Sequence, residues 1–214
     1  MRSKFDEQLA LLNRDLTKMG SLCEEALALA AKALANADGQ TAAKIAPIDS
    51  EIDQMERTIE SLCLKLLLQQ QPVARDLRQI SAALKMITDM ERIGDQASDI
   101  AEIIGFLNGR IGTDAQYICQ MAVAAMRMVT ESVEAYVKRD VAMAEATIQH
   151  DDIVDDLFLK VKDSLIQMIS ANPKDGEYAL DLLMIAKYFE RIGDHATNIA
   201  EWVVFSVTGV HEQG

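Results

Sequence analysis

Thirteen residues of this chain occur twice. MERIGDQASDIAE runs from Met90 to Glu102 and FERIGDHATNIAE from Phe189 to Glu201, with nine positions identical. Such a repeat puts its two copies in equivalent surroundings, so it sets the architecture before any other feature is weighed. It also extends upstream. Asp38, Asp49 and Asp53 recur 102 residues later as Asp140, Asp151 and Asp155, whereas Glu91 and Asp95 recur 99 residues later as Glu190 and Asp194. The three-residue difference falls at a proline-marked turn between the second and third elements of each half, where connections tolerate deletions. A period near 100 residues is a duplicated domain-sized unit, not a short solenoid repeat.

The unit reads as three helices. Apolar residues recur at helical spacing almost throughout. Half of the 214 residues are hydrophobic, and only 3 prolines and 10 glycines interrupt them. Aromatics are scarce at 5%, which favours helices over strands. The pattern predicts helices over residues 4–36, 41–70 and 73–107, then 114–138, 141–170 and 177–207. Gly39 follows the last periodic residues of the first helix and is expected to terminate it. Pro47 lies early in the second and is expected to kink it or delay its regular start. Asn108-Gly109-Arg110-Ile111-Gly112 is the expected junction. The predicted fold is therefore all-α: six long helices in two tandem homologous three-helix bundles, residues 1–109 and 110–214.

The repeated segment carries an unusual acidic face. At about 100° per residue, Glu91, Asp95, Asp99 and Glu102 fall within roughly 80° of one another. Met90, Ile93, Ala97, Ile100 and Ile104 form the opposite, core-facing stripe. Upstream, Leu77, Ile80, Leu84 and Ile87 project in the same direction as Glu91, so the carboxylates continue a stripe that packs against something. Like charges at i,i+4 destabilise a helix by a few tenths of a kcal/mol, and crowded carboxylates resist ionising together. A bound cation removes both penalties. Gly94 and Gly193 stand at matching places inside these helices, where glycine costs roughly 1 kcal/mol relative to alanine; the expected reason is close approach of another group.

A second acidic pair repeats as well. Asp49 and Asp53 are i,i+4 on the second helix, as are Asp151 and Asp155 on the fifth. Antiparallel packing brings the start of each of these helices beside the end of the third or sixth, so each half is expected to gather about five or six carboxylates. All-oxygen ligation suits hard ions: magnesium, calcium, manganese or iron. An acidic helix face is ordinarily just solvated, and it is the duplication, the interior glycines and the second-helix partners together that favour a metal site. Arg92 and Arg191 read either as salt-bridge partners of nearby acids or as partner-docking residues.

Other features mostly exclude. A net charge of −13 repels phosphate backbones and anionic lipid, so nucleic acid is not an expected partner; cations and basic proteins are. Cys23, Cys63 and Cys119 lack metal-type spacing and read as core residues of a reduced, cytoplasmic protein. The amino-terminal stretch has charges where a signal peptide needs an apolar run, and no segment has the apolar length of a membrane span. His150, His195 and His211 are scattered. With no Glu-x-x-His, P-loop, nucleophile elbow or Cys-x-x-Cys, no enzyme is expected. A carboxylate-metal phosphatase or oxidase and a purely structural helical module are the alternatives.

QQPVARDLRQISAALKMITDMERIGDQASDIAE, with its second copy ending in FERIGDHATNIAE, resembles the PhoU family of regulators of bacterial phosphate uptake. The resemblance covers nearly the whole chain as two three-helix repeats. It implies multinuclear metal clusters, iron or zinc among them, at Asp49, Asp53, Glu91, Asp95 and Asp99 in one half and at Asp151, Asp155, Glu190 and Asp194 in the other. Asn198 stands where the first copy has Asp99, so the second site is expected to be weaker or to hold fewer ions. The second copy also begins its third helix with GEYALDLL instead of the Pro-x-Ala-x-Asp-Leu-Arg form. The resemblance further implies a homodimeric cytoplasmic adaptor recruited to the inner face of the membrane. Its implied partners are the nucleotide-binding subunit of the phosphate ABC transporter and the sensor domain of a membrane histidine kinase, and its implied effect is negative regulation of uptake and of starvation signalling.

Overall fold

The structure, a computed structural model, describes residues 2–69, 72–107, 109–110 and 115–210. Gln70, Asn108, Ile111, Gly112, Asp114 and His211, which enter the sequence reading, lie outside that set. The helices are α1 (Arg2–Asn36), α2 (Gly39–Ala42), α3 (Ile45–Gln69), α4 (Ala74–Phe106), α5 (Gln116–Lys138), α6 (Val141–Gln149), α7 (Asp151–Ala171) and α8 (Gly176–Thr208). No strand occurs among the described residues. Six long helices are thus present in the predicted order. The second and fifth are each preceded by a shorter helical piece, α2 and α6, that the periodicity did not separate.

The breaks show how duplicated sequence produces duplicated local structure. At the end of α1, Ala37 takes a left-handed conformation with φ 48°, and at the end of α5 Arg139 does the same with φ 58°. The next residue, Asp38 or Asp140, closes the helix with a backbone N–H bond to Ala33 or Ala135, 2.9 Å in each case. The same aspartate then caps the next helix, accepting from the backbone N–H of Gln40 at 2.9 Å and of Met143 at 3.0 Å, the ordinary role of Asp at an N-cap. Gly39 is therefore not the terminator expected of it: it lies inside α2, and Ala37 bears the left-handed turn. Pro47 sits in the first turn of α3, where its missing N–H costs nothing.

The two units share one core. Each α1-type helix packs on its α3-type and α4-type neighbours, and α1 also packs on α5 while α4 packs on α8. The apolar stripes converge on fully buried Leu12, Leu16, Met19, Ile52, Met86 and Phe189. Helices α4 and α8 run antiparallel. Arg78 covers Gly209 at one end, and the Arg110 guanidinium stacks 4.0 Å from the Tyr178 ring centroid at the other. All three cysteines are free, Cys23 and Cys63 within the core, where burial pushes both thiols up to about 12. Among the described residues no helix is long and apolar enough to cross a membrane.

Candidate metal centre in each half

The acidic stripe of α4 faces the start of α3, as antiparallel packing requires. Asp49, Asp53 and Asp95 place one carboxylate oxygen each within 4.8 Å of one another. The Asp49 carboxylate is wedged against the backbone of α4 at Gly94: a Cβ there would lie 2.7 Å from Asp49 Oδ1 and 3.0 Å from Ile52 Cδ1. The second half repeats the wedge, for a Cβ at Gly193 would lie 2.9 Å from Asp151 Oδ1. Both interior glycines are thus explained by close approach of an aspartate from the neighbouring helix.

Burial and like charge act on these groups together. Burial and then the nearby Asp95, Asp53 and Asp99 raise the Asp49 carboxyl, against a lowering by Ser98, which donates to Asp49 Oδ2 at 2.8 Å. Glu91 is raised by burial and by Asp95. In the second half, burial first and then Asp194, Asp155 and Glu190 push Asp151 up to about 6. Asp155 and Asp194 are raised by burial and by Glu190. Among the described residues, four carboxylate oxygens are buried without a hydrogen-bond donor: Asp49 Oδ1, Glu91 Oε2, Asp151 Oδ1 and Glu190 Oε2. They occupy equivalent positions in the two halves. A buried carboxylate oxygen with no donor is costly, and the same pair recurs in both halves.

Each half has a side-chain cation nearby, by different means. Arg92 bonds Asp95 at 2.9 Å and reaches 3.3 Å from Glu91 Oε2, an ion pair without hydrogen-bond geometry. In the second half Lys187 bonds Glu190 Oε1 at 2.5 Å, while Arg191 lies over the Tyr188 ring at 5.9 Å. Arg92 is therefore a salt-bridge partner of these acids, while Arg191 has no ion pair among the described residues.

The third acidic position of the motif is turned elsewhere. Asp99 lies beside Tyr188 of α8, whose hydroxyl is raised by burial and then by the Asp99 charge. The matching Asn198 donates to Asp89 Oδ1 at 3.1 Å, beside the His195 Nδ1 contact at 2.9 Å. Tyr188 and Asp89 are themselves repeat equivalents, so these contacts form a pseudo-twofold seam between the halves. Asp99 still acts on Asp49 through its charge, whereas Asn198 is engaged in the seam.

The sequence reading missed Glu56, whose carboxyl is raised by burial and by Glu60 and Asp53 and which adds charge beside Glu91. It lies on the Asp49–Asp53 face of α3, so helical arithmetic reaches it. Its counterpart is Phe158, and attention to repeated positions alone passed it over. Ser98 and Asp89 were missed likewise; their roles depend on which helix faces them.

Two stretches of the chain, residues 16–104 and 118–203, match the PhoU domain family. The chain is 36% identical to the phosphate-specific transport system accessory protein PhoU homolog of Clostridium acetobutylicum, over 97% of this chain and 96% of that protein. It is 31% identical to the homolog of Deinococcus radiodurans, over 99% and 100%. Its fold superposes on the crystal structure of PhoU from Pseudomonas aeruginosa with a TM-score of 0.92 at 33% identity, covering 96% of this chain and 100% of that one. PhoU from Streptococcus pneumoniae gives 0.88 at 26% identity, over 98% and 99%. These relatives are named accessory or regulatory proteins of phosphate transport. The duplicated three-helix fold and the full-length matches together establish that this chain belongs to the PhoU family.

Proposed function

We propose that this protein is a metal-carrying adaptor that restrains phosphate uptake and phosphate-starvation signalling. Asp49, Asp53, Asp95 and Glu91 hold the ion or ions of the first half; Asp151, Asp155, Glu190 and Asp194 hold those of the second. The observation that carries the metal assignment is the recurrence, in both halves, of donorless buried carboxylate oxygens, one in each half packed against a glycine-lined helix backbone. The donors are all carboxylate oxygens, a set suited to hard ions: iron, manganese, magnesium or calcium. Zinc, the other ion implied by the family resemblance, takes carboxylates less readily than sulfur or nitrogen. A bound cation supplies the charge that the raised Asp49, Glu91 and Asp151 carboxyls lack.

Family membership supports the regulatory assignment. Its relatives are accessory proteins of phosphate transport, so this chain acts by contact with the transport machinery, in the cytoplasm at the inner face of the membrane. The nucleotide-binding subunit of the phosphate ABC transporter and the sensor domain of the partner histidine kinase are the proposed contacts, engaged by a homodimer. Elemental analysis of the purified protein tests the metal, with Asp49→Asn plus Asp95→Asn expected to empty the first half while helicity persists. Deletion of the gene tests the regulation: a phosphate-starvation reporter should stay on in phosphate-rich medium. Unchanged metal content, or normal repression in the deletion strain, overturns the respective half of the proposal.

A further inference from the structure

The two carboxylate clusters come from one repeat, yet they are not equally formed. In the first half Asp49, Asp53 and Asp95 bring one oxygen each within 4.8 Å of one another. Their counterparts Asp151, Asp155 and Asp194 do not, and no other group of three acids, histidines or cysteines gathers in this way among the described residues. The carboxylates are the same in type in both halves, so the difference lies in what surrounds them.

Two exchanges stand at the second cluster. Lys187 of α8 replaces Thr88 of α4, and Phe158 of α7 replaces Glu56 of α3. They act together. The Lys187 ammonium lies over the Phe158 ring, 5.6 Å from its centroid, a cation–π distance. It also donates to Glu190 Oε1 at 2.5 Å. Burial and the Glu190 charge raise the Asp155 and Asp194 carboxyls, and in both the Lys187 charge opposes the rise. One tethered cation thus bonds one acid of the cluster and acts on two more. Glu190 Oε2 and Asp151 Oδ1 are still buried without a donor, so the lysine serves the cluster without satisfying it.

The cations of the first half are placed differently. Arg92 bonds Asp95 at 2.9 Å and Arg57 reaches Asp53 at 3.4 Å. Their side chains are 54% and 67% exposed, against 40% for Lys187, and the three-oxygen cluster forms in their presence. A guanidinium spreads its charge over a planar fork, whereas an ammonium is a compact point charge. The ammonium is therefore the closer stand-in for a metal ion, and at short range it repels one.

We propose that Lys187 is a built-in competitor for the ion of the second half: the first half takes its ion into a ready-made cluster, and the second fills only at higher metal concentration, when an ion displaces the ammonium from Glu190. This rests on the metal reading above.

Manganese(II) titration of the full-length protein, followed by calorimetry and by the paramagnetic resonance of the free ion, reads each half when the other is disabled. Asp49→Asn with Asp95→Asn leaves the second half, and Asp151→Asn with Asp194→Asn leaves the first. The first half is expected to bind at least tenfold more tightly. Lys187→Thr installs the residue of the first half, and Lys187→Met keeps the side-chain stem over Phe158. Each should tighten the second half at least tenfold, whereas Lys187→Arg, which retains the charge, should leave it weak. Thermal melting in chelator checks that all three variants stay folded. Equal affinity of the two halves, a second half unmoved by Lys187→Thr and Lys187→Met, or the same gain in Lys187→Arg overturns the proposal and leaves the metal reading standing. A parent protein that binds no manganese overturns both.

Discussion

Replacing Gly94 by alanine sets two effects of similar size against each other. Alanine in a helix interior gains up to about 1 kcal/mol over glycine. Its Cβ, however, would stand 2.7 Å from Asp49 Oδ1 and 3.0 Å from Ile52 Cδ1, roughly 0.7 Å inside comfortable contact. Asp49 must withdraw by about that distance, which carries its 2.8 Å bond from Ser98 to the limit of hydrogen bonding and costs about 1 kcal/mol. The net change in stability should lie within about 1 kcal/mol of zero. Metal binding should suffer more, because ligand positions must hold to roughly 0.2 Å; a tenfold loss of affinity in the first half corresponds to about 1.4 kcal/mol. Gly105→Ala is the control, since nothing lies within 4 Å of a Cβ there and only the helix-propensity gain applies. Urea unfolding in chelator and calorimetric metal titration read the two quantities separately. If Gly94→Ala gains as much stability as Gly105→Ala and binds metal like the parent, the close approach of Asp49 has no functional weight.

The remaining predictions concern pH, a turn and the core. The Asp151 carboxyl is raised from 3.8 to about 6, so between those values the folded state keeps a proton that the unfolded chain releases, and stability falls as pH rises through that window. Asp151 is only half-buried, so solvent screening reduces the nominal effect to about 1 kcal/mol; in chelator, Asp151→Asn should exceed the parent by that amount above about pH 7 and match it below about pH 4, as urea midpoints will show. Ala37→Gly relieves a left-handed φ of 48° and should stabilise by about 1 kcal/mol, measured the same way. Phe189→Ala removes a fully buried ring beside the second motif and should cost about 3–5 kcal/mol, visible as a large fall in melting temperature.

Much of the molecule was legible in the sequence because a duplication is self-checking. The offsets of 102 and 99 located the turns, and the apolar period located six long helices, but it ran α6 (Val141–Gln149) and α7 (Asp151–Ala171) together and began the second helix four residues before Ile45. Gly94 and Gly193 announced a close approach because a repeated cost inside a helix requires a repeated reason. Asp49, Asp53 and Asp95 were recoverable since i,i+4 spacing and antiparallel packing leave little freedom in where those carboxylates point.

Tertiary structure decided what depends on the facing helix. Asp99 faces Tyr188 on α8 as well as the first cluster, and Asn198 is claimed by Asp89, 109 residues away. Arg92 and Arg191 are identical in the repeat, yet one holds carboxylates and the other covers an aromatic ring, because Lys187 already serves Glu190.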